Sequence, residues 1–414
     1  MTEPDVCLLS AKKDGCYFIT LKTVIVMRHS ILLFILVFSL ASCRNSADMG
    51  LVSDGDDLQR VVKVEETFEV RKLSEIFSHI EYLPLETTEG SELGHISKAF
   101  YDNGRLYLLD ISANAVLCFR SDGSFVARYS SVGRGPEEYR NLSDMDLLPG
   151  GKGVIVLADW HNLFLLDRDL NVIETTRAPI NAVGVSSISE DVLGYHTGGR
   201  QDMLGDGTDN LYNMVLHSRA TGAVEGLFPD MLSKRIGFSG TNRFVRSDVL
   251  VYLNPMDYSC YFLSQGGIDS VWIFDFGSRG VDGDETAEIT TREDYNSFLA
   301  SRPGVVTEVE TVSFRGDVMY LSYLVREGPR DSSQMRKEYY VDLRTGLFYP
   351  LIPDANDLSP IGFPPLFLGV HDDGFIGHFP SFVLSHESIK ELPESISDTD
   401  IFDNPVIVFY HVKK

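Results

Sequence analysis

The sequence is poor in basic residues and has no block of them. Its 414 residues contain 36 Lys and Arg against 60 Asp and Glu, which gives a formal net charge of -24. Proteins that wrap nucleic acid use clustered Lys and Arg, because contacts with phosphates release counterions. The low positive charge therefore argues against nucleic acid as a partner, and the dispersed acidic residues predict a solvated surface.

Motifs of nucleotide, metal and hydrolase sites are also lacking. The chain has no Walker loop, no GxGxxG fingerprint, no HxH or HExxH pair and no GxSxG elbow. The histidines of interest stand singly: His196, His371, His378 and His411. Cys118 and Cys260 lie in apolar runs, where a cysteine is expected as a small buried residue. We therefore expect no metal and no cofactor; enzymatic activity stays open, with a non-enzymatic protein favoured.

Long apolar runs are scarce, and an informative one lies near the N-terminus. Arg28 precedes the apolar run 31–40, and two small residues then lead into Cys43. A short positive region, an apolar run and small residues are typical of a signal peptide. A membrane-spanning helix needs roughly 20 apolar residues, about twice the length of this run. A signal peptide is therefore favoured over a spanning anchor.

This pattern predicts three regions. Residues 1–42 form the signal region, in which residues 1–26 precede a second candidate start at Met27. Residues 43–60 are polar and aperiodic, which predicts a flexible tether. Residues 61–414 form the folded part.

The end of the apolar run carries a more specific motif. Leu40-Ala41-Ser42-Cys43 resembles the lipobox of bacterial lipoproteins. This resemblance implies that Cys43 becomes the mature N-terminus and carries a lipid, so that one partner of the protein is a membrane. Arg44, where an inner-membrane sorting signal has Asp, favours the outer membrane by the same resemblance. The alternative is an ordinary secretory signal that happens to contain a cysteine.

The folded part repeats short β-strand patterns. One set comprises RLYLLD, AVLCFR and SFVARYS, and a second comprises GVIVLAD, NLFLLD and VIETTR. Asp110 and Asp159 occupy equivalent positions in the two sets, 49 residues apart. A period of about 40–50 residues with four strands per unit is the signature of a propeller blade. Weaker copies follow to the C-terminus, and we predict an all-β, six-bladed β-propeller of four-stranded antiparallel blades.

The sixth unit has three strands, and short helices interrupt the pattern. We predict that the N-terminal segment RVVKVEETFEV, residues 60–70, supplies the missing strand and closes the ring. Thr290 and Glu293 have capping-box spacing before an amphipathic helix in TTREDYNSFLASRPG. SIKELPES, residues 388–395, predicts a shorter helical insertion.

The stretch SVGRGPEEYRN, residues 131–141, is predicted to connect two blades. A phosphate loop is rejected because Pro and two Glu stand where Lys and Ser or Thr are needed. Arg134, Glu138 and Tyr139 are candidate ligand- or partner-binding residues, since such a loop projects side chains toward the mouth of the channel. The alternative is structural, with Arg134 paired to a carboxylate and Tyr139 packed between blades.

Other candidate residues follow the inner strands. Trp160 is a candidate face for stacking a sugar, whereas Trp272 alternates with apolar residues and is expected in the core. Asp110 and Asp159 are expected to accept hydrogen bonds from turn backbone. Their alternative role is in an axial ring of carboxylates that binds Ca²⁺.

Several segments together resemble a known family. The lipobox, LSEIFSHIEYLPLET at 73–87, VGRGPEEY at 132–139 and NPVIVFYHVKK at 404–414 resemble the six-bladed β-propeller lipoproteins of bacterial envelopes, with NHL-like blades. This resemblance implies export, lipid anchoring and the propeller fold, but no catalytic set.

Function is consequently less defined than fold. We expect a binding or scaffold propeller for protein or glycan partners at the outer membrane, facing the periplasm or the cell surface. The alternatives are a metal-dependent hydrolase or lyase with an axial site, and a nutrient-uptake component that presents oligosaccharide through Trp160.

Overall fold

The structure is a computed structural model that describes most of the chain from residue 58 onward. The described residues are 58–65, 69–135, 137–198, 212–229, 232, 236, 243–281, 283–327, 334–386, 389 and 392–414. The predicted signal region, Cys43 and most of the tether lie outside them. Strand β1 begins at Gln59, two residues before the predicted start of the folded part.

Two strands precede the first blade, and six antiparallel sheets follow one another along the chain. The preceding strands are β1 (Gln59–Lys63) and β2 (Phe77–Pro84). The first sheet contains β3 (Lys98–Asp102), β4 (Arg105–Asp110), β5 (Ala115–Arg120) and β6 (Phe125–Tyr129). The second contains β7 (Leu142–Leu147), β8 (Val154–Ala158), β9 (Asn162–Leu166) and β10 (Val172–Arg177). The third contains β11 (Gly184–Ser187), β12 (Val192–His196), β13 (Tyr212–Ser218) and β14 (Val224–Pro229).

The second half of the chain continues this order. The fourth sheet contains β15 (Phe244–Arg246), β16 (Leu250–Leu253), β17 (Ser259–Ser264) and β18 (Gly267–Asp275). The fifth contains β19 (Val305–Arg315), β20 (Val318–Arg326), β21 (Gln334–Asp342) and β22 (Leu347–Pro350). The sixth contains β23 (Leu366–His371), β24 (Gly374–Phe379) and β25 (Val406–Val412), with β2 beside β25. The predicted six-bladed β-propeller of four-stranded antiparallel blades is confirmed.

The apolar core lies between neighbouring blades. Strands buried on both faces carry nearly continuous apolar runs, as in RLYLLD and GVIVLAD. Within the described residues six apolar clusters each join two adjacent blades, represented by Tyr107 with Phe164, Leu157 with Tyr195, Met214 with Tyr252, Leu253 with Leu321, Tyr340 with Phe375, and Ile407 with Leu117. The last pair joins the sixth blade to the first, so the blades form a ring.

The prediction that the segment 60–70 joins the last blade is wrong. Strand β1 instead pairs in parallel with β18 and adds a fifth strand to the fourth blade. Val62 is buried there, and the Arg60 guanidinium lies 4.4 Å from the ring centre of Trp272. The outer strand of the sixth blade is β2, whose Phe77 ring packs against Tyr340 and Tyr410. An aromatic residue that fills the gap between the fifth and sixth blades favours β2 in this position.

The helical insertions are short. The helix α1 (Arg292–Ala300) begins one residue later than predicted, because Thr291 Oγ1, rather than Thr290, accepts the Asp294 N–H at 3.1 Å. The single-turn 3-10 helices are Leu73–Glu75, Pro149–Gly151, Gly277–Arg279, Asp284–Thr286, Pro353–Ala355, Ser381–Ser385 and Glu394–Ile396. Of the predicted insertion at 388–395, residues 388, 390 and 391 lie outside the described residues, and its end belongs to the 3-10 helix Glu394–Ile396. Among the residues that the structure describes, no helix has the length and apolar character that crossing a bilayer requires.

Candidate functional site

The predicted inter-blade connection is confirmed, and it is built around Glu138. The loop lies between β6 and β7, and Glu138 Oε2 accepts the backbone N–H of Arg134 at 2.6 Å and of Gly135 at 2.7 Å. A Cβ on Gly133 would lie 1.9 Å from the same oxygen, so a larger residue there would displace the carboxylate from these two hydrogen bonds. Glu138 therefore shapes the loop, while the Arg134 side chain is exposed to solvent.

Tyr139 has a buried position between the first two blades. Its ring centre lies 5.7 Å from those of Tyr129 and Phe164, and its hydroxyl donates to Asn114 O at 2.9 Å. Burial raises the pKa of Tyr139 above its usual value. Tyr139 is fully buried in the described structure, so a ligand could reach it only if the loop moved.

Trp160 lies in the tight turn between β8 and β9. His161 N–H donates to Ala158 O at 3.1 Å, and both central residues, Asp159 and Trp160, have positive φ. This is the backbone of a type I′ hairpin turn, in which a tryptophan is unusual. Trp160 is 46% exposed, so its availability for stacking stays a prediction.

The recurring aspartates have the structural role that was expected. Asp110 accepts the backbone N–H groups of Gly94 and His95, at 2.6 and 3.1 Å. Asp159 accepts those of Arg140 and Asn141, both at 3.2 Å. Burial alone would raise the pKa of Asp110, but these and further hydrogen bonds hold it below its usual value. Each carboxylate thus fastens the connection that enters its blade.

A cavity of about 520 Å³ lies on the ring axis. Its walls come from inner strands β3, β15, β19 and β23, together with parts of β20, β21 and β24. The charged, aromatic and histidine side chains on its wall include Lys98, Phe100, Arg243, Phe244, Arg246, Glu308, Glu310, Tyr320, Arg336, Glu338, Phe367 and His378. None of Arg134, Glu138, Tyr139 and Trp160 lines it.

Three of its cationic side chains are held in ion pairs that span blades or strands. Lys98 Nζ lies 2.9 Å from Asp144 Oδ1, and Arg246 Nη2 lies 2.6 Å from Asp146 Oδ2. Arg336 contacts both oxygens of Glu310, at 2.6 and 3.1 Å. These pairs fix the positions of the charged groups on the cavity wall, since buried charges must be paired.

Arg243 is the fourth cationic side chain on the cavity wall, and it makes fewer hydrogen bonds than its guanidinium can donate. Its Nη2 contacts Glu308 Oε1, but Nε and Nη1 are buried and have no hydrogen-bond partner among the described residues. The residue is 4% exposed. A buried guanidinium that leaves donors unused carries a large desolvation cost, which a ligand with acceptor oxygens would relieve.

Burial shifts the pKa values of three titratable groups near the cavity. Burial raises the pKa of Glu308 and of Glu338, whose Oε1 accepts the Tyr320 hydroxyl at 2.6 Å. Burial lowers the pKa of His378 to about 4, and His378 Nδ1 has no partner in the described structure. His378 is neutral near pH 7 and offers one ring nitrogen toward a hydrogen bond.

The same geometry bears on the axial metal hypothesis. A Ca²⁺ site needs several oxygens that converge on one point. Glu308 and Glu310 are each engaged by a guanidinium, so either would have to exchange an arginine for the ion. Within the described residues, a group of three potential metal ligands lies elsewhere, on the outer strands of the sixth blade, at His79, Glu81 and His411.

Neither the charged residues of the cavity nor the group of His79, Glu81 and His411 was predicted from the sequence. A usable signal was present for the cavity, because charged residues at alternate positions of an inner strand, such as Asp144 with Asp146 and Glu308 with Glu310, interrupt runs that are otherwise apolar. For the second group no local signal existed, since His79 and Glu81 are separated from His411 by most of the chain.

Comparisons with known proteins agree with the propeller. The model of a family described as a domain of unknown function, DUF4934, matches residues 59–411. A solved structure from Bacteroides fragilis, of a protein described as exported, has a TM-score of 0.71 at 15% identity and covers 86% of this chain and 100% of its own. A DUF4221 family member from Bacteroides vulgatus has a TM-score of 0.44 at 11% identity, over 81% of this chain and 98% of its own. A comparison with curated proteins gives no match.

Proposed function

Since the chain belongs to the DUF4934 family, whose model carries no activity, we propose its function from the axial cavity: it is an extracytoplasmic, non-enzymatic propeller that binds a small acidic ligand, such as an acidic sugar. A lipid on Cys43 tethers it to the outer membrane. The signal-like segment and lipobox support export and anchoring, and the description of the Bacteroides fragilis protein as exported agrees with this.

The observation that carries this proposal is the Arg243 guanidinium. It is buried against Glu308 on the cavity wall, and its Nε and Nη1 have no hydrogen-bond partner among the residues that the structure describes. Nε and Nη1 lie on different edges of the guanidinium, so each would donate a separate hydrogen bond to an acceptor oxygen. An anionic ligand with acceptor oxygens would therefore satisfy donors that the described residues leave unused.

The size and lining of the cavity support a small ligand rather than a protein chain. Ligand pockets have volumes of about 300–1,000 Å³ and combine apolar walls with a few polar groups. Phe100, Phe244 and Phe367 provide apolar walls here, and Tyr320 and Glu338 provide a hydroxyl and a carboxyl group. One sugar ring with an acidic substituent matches this mixture.

Calorimetric titration with matched sugars tests the proposal. Glucuronate and a sulfated monosaccharide represent the acidic class, and glucose represents the neutral class. We expect the acidic sugars to bind and glucose to bind at least about tenfold more weakly, which corresponds to about 1.4 kcal/mol. Equal binding of glucose and glucuronate, or no binding of either acidic sugar, would overturn the proposal.

A paired variant assigns the binding to Arg243. Arg243→Gln alone leaves Glu308 buried without its partner, so the variant to use is Arg243→Gln with Glu308→Gln, which removes both charges. Arg344→Gln is the control, because Arg344 is largely exposed and does not line the cavity. The proposal requires that the paired variant loses acidic-sugar binding and the control retains it. Trp160→Ala in the same assay tests the separate hypothesis of a stacking face.

A further inference from the structure

The outer strands of the sixth blade bring together two histidines and a glutamate. His79 and Glu81 are two residues apart on β2 and lie on the same face of the sheet. His411 on β25 is directly opposite His79 in the strand register. The candidate ligand atoms of the three residues all lie within 4.8 Å of one another.

The distances suit one transition-metal ion. His79 Nε2 lies 3.5 Å from Glu81 Oε1, and His411 Nε2 lies 3.7 Å from Glu81 Oε2. A tetrahedral zinc ion with bonds of about 2.0–2.2 Å places its ligand atoms roughly 3.3–3.6 Å apart. Two histidines and a glutamate are also a set that zinc sites use, with water in the fourth position.

Ser78 selects the nitrogen of His79 that remains available. The Ser78 hydroxyl donates to His411 O at 3.2 Å and lies 2.9 Å from His79 Nδ1. In the tautomer in which Nδ1 donates to this hydroxyl, the lone pair lies on Nε2, the nitrogen that faces Glu81. Metal-binding histidines commonly make such a hydrogen bond with the ring nitrogen that does not bind the ion.

Within the described chain, His79, Glu81 and His411 have few polar partners outside their own group. His411 Nε2 is buried and has no hydrogen-bond partner among the described residues. The ion-pair contacts of Glu81 within the described chain are with these two histidines, so no lysine or arginine neutralises it there. The neighbouring His371 is excluded as a ligand, because Nε2 lies 3.2 Å from Tyr410 O and Nδ1 accepts the Asp373 N–H at 3.4 Å.

We propose that His79, Glu81 and His411 form a zinc site that links β2 to β25. The two imidazole rings are stacked in parallel with centres 4.2 Å apart, so their lone pairs run side by side and one ring must turn to meet the ion. His79 is the ring that turns, since its side chain is 55% exposed and that of His411 is 17% exposed, and a turn that moves Nδ1 away from Ser78 releases their hydrogen bond. The ion joins two segments from opposite ends of the propeller sequence.

Zinc titration of the purified full chain, carrying a tag without histidine and freed of metal by chelation, tests the site. We expect one zinc per chain by calorimetry and a zinc-dependent rise in the unfolding temperature. His79→Gln and His411→Gln are each expected to weaken zinc binding at least about tenfold, and His386→Gln, an exposed histidine outside the group, serves as the control.

Two outcomes overturn the proposal: less than stoichiometric zinc on the unmodified protein at saturating metal, or undiminished binding in both histidine variants. Glu81→Gln covers the case in which a histidine variant fails to fold. Glu81 is 61% exposed and its loss leaves no buried charge, so the folded variant must also bind zinc more weakly.

Discussion

Replacement of Asp146 tests whether the inner ring depends on one buried carboxylate. Asp146 lies on β7 and is 1% exposed. It accepts Arg246 Nε at 2.8 Å and Nη2 at 2.6 Å from β15, and the Ser186 hydroxyl and Ser187 N–H at 2.6 and 2.9 Å from β11. A single side chain therefore joins the inner strands of the second, third and fourth blades.

Asp146→Asn keeps the shape but removes the charge and places an amide against the guanidinium. A hydrogen bond to a charged group contributes about 1.5–3 kcal/mol. Removal of one partner from a buried ion pair costs about 3–5 kcal/mol, because the other charge is left uncompensated. The Arg246 side chain is 24% exposed, so water compensates part of this loss. We expect the free energy of unfolding to fall by about 3 kcal/mol.

Equilibrium unfolding in urea at pH 7 measures this loss, and Arg246→Met in the Asp146→Asn background isolates the pair. The double variant carries no unpaired charge and should recover at least about 1 kcal/mol relative to Asp146→Asn. A single variant within about 0.5 kcal/mol of the unmodified protein, or a double variant that is less stable than the single one, would refute the reasoning.

The pH dependence gives a second readout of the same carboxylate. Burial alone would raise the pKa of Asp146, but the charge and hydrogen bonds of Arg246 hold it below its usual value. A lowered folded-state pKa means that the stabilisation is present above the ordinary carboxyl pKa of about 3.9 and is lost as pH falls through the folded value. The difference between Asp146→Asn and the unmodified protein should therefore shrink below about pH 4.

Three further predictions concern single positions. Gly133→Ala should lower the unfolding temperature, measured by circular dichroism, because its Cβ would overlap Glu138 Oε2; an unchanged temperature would contradict the loop geometry. Asn404→Ala should cost at least about 2 kcal/mol in urea unfolding, since the side chain bonds the backbone of Leu93 and of two other residues in the link to the first blade; a loss below about 0.5 kcal/mol would contradict this. Burial raises the pKa of the Cys118 thiol to about 12, so a thiol reagent should label it only on unfolding, and rapid native labelling of the peptide that contains Cys118, identified by mass spectrometry, would show the burial to be wrong.

The axial cavity and the zinc group depend on different contacts in the propeller. The cavity is lined by pairs such as Arg243 with Glu308 on inner strands of different blades, so its shape depends on the whole ring. The zinc group depends on the pairing of β2 with β25 alone. Different substitutions should consequently abolish acidic-sugar binding and zinc binding.

Strand content and blade number were predictable from the sequence because both depend on local patterns. Apolar runs buried on both faces mark the strands, and the recurrence of Asp110 as Asp159 sets the repeat. The inter-blade loop at Gly133 and Glu138 and the buried thiols of Cys118 and Cys260 also followed from local chemistry.

Which strand lies beside β25 was decided by tertiary packing. β1 and β2 are both short, extended and rich in apolar residues, but Phe77 fits between the fifth and sixth blades, whereas β1 pairs with β18. Tertiary packing also decided both candidate sites. Arg243 contacts Glu308, and His79 lies opposite His411, although the residues of each pair are far apart in the sequence and no local pattern connects them. Local pattern determines a strand and its buried faces, and contacts between distant strands determine its neighbours and the groups that face each other across them.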